Sequence, residues 1–141
     1  MRVEISDEAR QYIGTFDDLV GVAPVDCLVE DDGDRLVFLL PAGEMAEAIG
    51  PGGRTVDRVE EQLGAEVELV ENADTPEAFV ANALAPAAVR GVTVSRQNDV
   101  VAYVEVVDAD RGVAIGAGGR NIEAARTLAK RHFDIDDVQL A

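Results

Sequence analysis

The chain is poor in the residues that most often carry chemistry. Its 141 residues include one cysteine, one histidine, one lysine and no tryptophan. A lone Cys27 excludes an internal disulfide and a cysteine-based metal cluster. Inside the apolar run VDCLVE it reads as a small buried hydrophobe rather than a reactive thiol. His132, also alone, sits near a predicted helix end with no partner for acid–base work. Aromatic residues make up only 4% of the chain, so a core must be assembled from Val, Leu, Ile and Ala, which the 48% hydrophobic content allows. No apolar run approaches the roughly 20 residues of a membrane-spanning helix. The opening MRVEISDEAR has no apolar stretch of signal-peptide length. These absences predict a soluble, cytoplasmic protein without membrane contact, metal or cofactor. The carboxylates scatter as surface acids do, and no Ser/His/Asp constellation accompanies them, so no enzymatic activity is expected.

Positive charge is scarce as well. The formal net charge is −16, and eleven of the twelve basic residues are arginine. Such a balance normally argues against a nucleic-acid partner. Here the acids spread over the whole chain, the pattern of a protein from a salt-loving microbe such as a halophilic archaeon. At molar salt the Debye length falls to about 3 Å, so net charge loses its power to exclude a function.

What is present is a repetition. AIGPGGR begins at Ala48, and AIGAGGR begins at Ala114, 66 positions later. The surroundings repeat too. A helical stretch capped by Ser6 precedes the strand-like runs VDCLVE (25–30) and RLVFLLP (35–41), joined by the turn DDGD. A second helical stretch begins at Thr75-Pro76-Glu77 and precedes VTVSR (92–96) and VVAYVEVV (100–107). Each heptad follows a short helix, expected near 43–49 and 109–115. Each is followed by a longer one with Val56, Val59 and Leu63, or Ile122, Ala125, Leu128 and Ala129, facing a core. Closing strands follow at AEVELVE (65–71) and DVQLA (137–141). The predicted domains are 1–72 and 73–141.

Both turns, Gly50-Pro51-Gly52-Gly53 and Gly116-Ala117-Gly118-Gly119, stand between two helices, with Arg54 or Arg120 next. A sharp corner needs one glycine for a positive φ. Three in four positions is more than a corner requires, and it points to close approach by a ligand. Free amides and the positive end of the helix dipole at the following helix start suit a phosphate. No Gly-Lys-Ser/Thr follows either turn, and Thr55 and Asn121 stand where a dinucleotide fingerprint needs glycine.

The motif Ile-Gly-x-Gly-Gly-Arg-x-(Val/Ile) between helices resembles the KH domain, whose GXXG loop clamps single-stranded nucleic acid. Two copies filling the chain, each with a helix and strand ahead of the core unit, resemble the archaeal NusA-like transcription factors. The resemblance implies an α+β fold of two tandem type II KH domains, each a three-stranded sheet packed against helices. It implies a single-stranded RNA-binding protein of transcription elongation, pausing or termination, with RNA polymerase as a possible protein partner. A ribosome- or RNA-processing factor of KH type, and a scaffold that docks on the polymerase, stay open. The RNA contacts implied in the first copy are Gly50, Pro51, Gly52, Gly53, Arg54 and Arg58. In the second they are Ile115, Gly116, Ala117, Gly118, Gly119, Arg120, Ile122, Arg126 and Lys130. Bases would lie between the helix after the loop and the adjoining strand, beside Ile49, Val56 and Val59, or beside Ile115 and Ile122. For most of these the plainer reading is core, as it is for mid-strand Tyr103.

Charge separates the copies. Residues 1–71 carry a net −13, and residues 72–141 a net −3. Between 111 and 131, Arg111, Arg120, Arg126, Lys130 and Arg131 face Glu123 alone. A basic helix behind a phosphate loop is a nucleic-acid footprint. The second domain is therefore expected to carry most of the RNA contact.

Overall fold

The computed structural model describes residues 3–141. The first two positions of the expected 1–72 domain lie outside the described residues. The chain divides into two compact units, one of Glu4–Asn72 and one containing Ala73–Ala141.

In the first unit, helix α1 spans Asp7–Val20. The Ser6 hydroxyl accepts from the Ala9 N–H at 3.1 Å, and Asp7 and Glu8 in the first turn complement the helix dipole. Gly21 ends the helix in the left-handed region at φ 80°. Ser6→Ala should cost about 1 kcal/mol of stability, measured by denaturant unfolding, because one amide loses its cap. Strands β1 (Asp26–Glu30) and β2 (Arg35–Leu40) pair antiparallel with Cys27 opposite Phe38. Helices α2 (Met45–Ile49) and α3 (Arg54–Leu63) follow, and β3 (Glu66–Glu71) returns parallel to β2. Phe16 and Phe38, with ring centroids 4.6 Å apart, centre a core that includes Leu36, Leu40, Ala48 and Val59. Arg35 is buried where β2 starts. Its guanidinium meets Glu30 at 2.8 Å and Glu66 at 3.3 Å, the residues directly opposite it on the two neighbouring strands. Burial of that charge is tolerable only with such partners.

The second unit repeats the order. Thr75 caps α4 (Pro76–Ala83), its hydroxyl accepting from the Ala78 N–H at 3.2 Å. Strands β4 (Val89–Ser95) and β5 (Val101–Val106) pair antiparallel. Helices α5 (Arg111–Ile115) and α6 (Arg120–Phe133) lead to β6 (Asp137–Leu140), parallel to β5. Ile122, Ala125, Leu128 and Ala129 are buried, as their spacing predicts. Phe133 stacks on Phe79 at 4.7 Å.

Each sheet is three-stranded, with the middle strand antiparallel to the first and parallel to the last. The fold is α+β, two tandem type II KH domains. Three element starts differ from expectation by two residues or more. Strand β4 starts at Val89, three residues early, because a register shift between Val89 and Gly91 lets pairing run past the glycine. The short helices start late, at Met45 and Arg111, since Gly43 has φ 85° and Asp108–Asp110 forms a separate 3-10 turn. No helix among the described residues is long and apolar enough to cross a membrane.

Candidate nucleic-acid interface

Both glycine turns have one geometry. Gly50 and Gly116 end α2 and α5 at φ 74°, ψ 175° and φ 79°, ψ 170°. Gly52 and Gly118 sit at φ 61° and 63°, and Gly53 and Gly119 at φ 76° and 79°. All three glycines of each turn therefore have a positive φ, so the corner itself uses every one of them. The expectation that three exceed a corner's needs is corrected on that ground.

The glycines differ in what surrounds them. A Cβ on Gly50 would fall 2.1 Å from Thr55 Oγ1, and one on Gly116 would fall 2.7 Å from Asn121 Cβ and 2.9 Å from its backbone nitrogen. These two are closed by the chain itself. A Cβ on Gly52, Gly53, Gly118 or Gly119 would meet nothing within 4 Å. The open part of each turn is its second half, directly before α3 or α6. Neither helix start has a side-chain cap, but the amides at the junction are not free as expected: those of Gly53 and Arg54 donate to the carbonyls of Gly50 and Pro51, and those of Gly119 and Arg120 to the carbonyls of Gly116 and Ala117. Asn121 ties the second corner together, its Nδ2 donating to the carbonyls of Val113 and Ala114, each at 3.2 Å.

A groove of about 370 Å³ opens beside the second turn, between α6 and β6. Ile115, Gly119, Ile122, Gln139 and Leu140 line it together with Arg111, Glu123 and Arg126. Ile115 is 40% exposed and presents an apolar wall, whereas Ile122 is 6% exposed and belongs chiefly to the core. In the first unit Ile49 is exposed and Val56 half-buried, while Val59 is wholly core and reaches no groove. Gln139 and Leu140 were not singled out from the sequence. The signal was available: alternation along DVQLA with Val138 inside turns Gln139 outward.

The basic side chains are more engaged than a count along α6 suggests. Arg126 pairs with Glu123, lies 3.0 Å from Asp137, and donates to the Val138 carbonyl at 3.0 Å. Lys130 Nζ meets Asp136 at 2.7 Å. That contact raises the Lys130 pKa and lowers that of Asp136. Asp137 is also held below the usual carboxylate range, first by the amide of Gln139. The net +4 counted over 111–131 thus omits two carboxylates that β6 brings alongside the helix. Arg111 Nη1 donates to the Ala141 carbonyl at 2.9 Å. Arg120 and Pro51 and Ala117 of the turns are exposed. Arg54 folds its Nε back to the Pro51 carbonyl at 3.1 Å. Arg58 donates to Leu19 O at 3.2 Å, at the C-terminal end of α1.

Residues 76–141 match the family described as the NusA-like second KH domain. A "Probable transcription termination protein NusA" of Halococcus morrhuae is 59% identical over the full length of both chains. One of the same description from Methanocaldococcus jannaschii is 32% identical over 99% of this chain and 75% of its own. The crystal structure of APE1850 superposes with a TM-score of 0.82 at 33% identity, covering 97% of this chain and 100% of that one.

Proposed function

The chain belongs to the NusA family of transcription termination proteins, and from that premise we propose that it binds single-stranded RNA during elongation, pausing or termination. The observation that carries this reading is the second turn, whose open half, Gly118-Gly119, leads directly into the groove between α6 and β6. A phosphate sits at the positive end of the α6 dipole, and Arg120 stands beside it. Bases then lie against Ile115, with Gln139 at the polar rim. The first turn supports the same contact through Gly52, Gly53, Arg54 and Arg58, on a more acidic surface. RNA polymerase is the protein partner proposed, and co-purification tests it. The protein does no covalent chemistry on its ligand.

Salt dependence tests the mechanism. Each phosphate neutralised on a single strand contributes about −0.7 to the slope of log K against log salt. Arg126 and Lys130 already have carboxylate partners, so few cations are left to release counterions. Titration of an unstructured RNA between roughly 0.5 and 3 M KCl should give a slope no steeper than about −2. A slope near −5 would mean that charge, not loop amides and apolar contact, does the binding.

A further inference from the structure

Phe16, Phe38 and Phe79 are fully buried, but Tyr103 is 41% exposed in the middle of β5. The expectation of a core tyrosine does not hold, because β5 alternates: Ala102, Val104 and Val106 face inward, and Tyr103 and Glu105 face out. The strand register sets Tyr103 opposite Thr93 on β4 and Gln139 on β6. Residues directly opposite each other share a sheet face. Gln139 also lines the groove beside the glycine turn. On its other flank, Tyr103 borders a shallow pocket of about 230 Å³ lined with Ser95, Gln97, Asn98, Asp99 and Val101. The groove and the open sheet face therefore meet at one side chain.

We propose that the RNA strand in the groove continues past Gln139 onto this sheet face, where the next base stacks on the Tyr103 ring. Its edge then reaches the amides of Gln97 and Asn98 and the Ser95 hydroxyl. The proposal rests on the groove being the RNA site. The composition of the face favours a base over a protein partner. One ring and the half-buried Val101 stand among Thr93, Ser95, Gln139 and Glu105, too small an apolar patch for a protein to cover. Glu105 and Asp137 repel phosphate, so the strand has to turn its bases toward the sheet. Stacking tolerates any base and survives high salt.

The chain has no tryptophan and two tyrosines. A Tyr12→Phe variant therefore reports Tyr103 fluorescence alone. Unstructured adenine–cytosine RNAs of four and eight nucleotides are titrated in molar KCl. Both should bind, and only the longer should quench the tyrosine and bind about tenfold tighter. Tyr103→Thr removes the ring and keeps strand preference. It should abolish the advantage of the longer RNA and leave the shorter unaffected, while Tyr103→Phe retains the advantage. If both RNAs bind but no quenching occurs and Tyr103→Thr changes nothing, the sheet proposal fails and the groove reading stands. If neither RNA binds, both fail.

Discussion

Gly118→Asp should weaken RNA binding about a hundredfold, and the matching Gly52→Asp only a few-fold, since like charges placed face to face cost several kcal/mol. The two sites form a controlled pair. Their backbones are nearly identical, φ 63°, ψ 18° and φ 61°, ψ 22°. An added Cβ meets nothing within 4 Å at either. Aspartate is among the few residues that enter the left-handed region at modest cost, so both variants should fold alike. The difference comes from what the carboxylate faces. In the second unit it stands at the mouth of the groove proposed to hold RNA. In the first it joins a helix that already carries Asp57, Glu60 and Glu61, on a half with net charge −13 against −3. Fluorescence anisotropy with a labelled single-stranded RNA in molar salt measures both. Equal losses would refute the asymmetry and make the two loops equal partners.

Gly116→Ala should destabilise the second unit by about 3 kcal/mol or more, lowering its melting temperature by roughly 10–20 °C. Two causes add. At φ 79°, ψ 170° the backbone lies in a region open to glycine almost alone. The new methyl would also press on Asn121 Cβ at 2.7 Å and its backbone nitrogen at 2.9 Å. Neither atom can swing aside, since both move only with α6 itself. Asn121 is the residue whose amide ties α6 to the end of α5, so the strain falls on the corner that shapes the groove. Gly118→Ala, two residues along, has open space and should cost only about 1–2 kcal/mol. Thermal unfolding of the two variants measures the combined excess, and equal losses would show that neither the Asn121 contact nor the glycine-only backbone region of Gly116 is felt.

The contrast between the glycines shows where reading along the chain succeeds. The doubled heptad and the caps at Ser6 and Thr75 are local features. Each depends on residues a few positions apart, and each stands where its pattern placed it. Ile122, Ala125, Leu128 and Ala129 were legible as core for the same reason, one helix face at period 3.6. The role of each glycine was not legible in this way. Gly50 and Gly118 look alike in the motif, but one is closed by Thr55 and the other is open.

Periodicity and turn chemistry along the chain were therefore enough to establish two copies of one α+β unit and the corner each is built around, because short-range sterics and burial patterns do not depend on distant partners. Folding was needed to bring Asp136 and Asp137 onto Lys130 and Arg126, to leave Ile115 and Tyr103 in the open, and to bring Gln139 to the groove. These depend on which strand edge and which helix face become neighbours, and a charge or a ring takes its character from whatever lies across that gap.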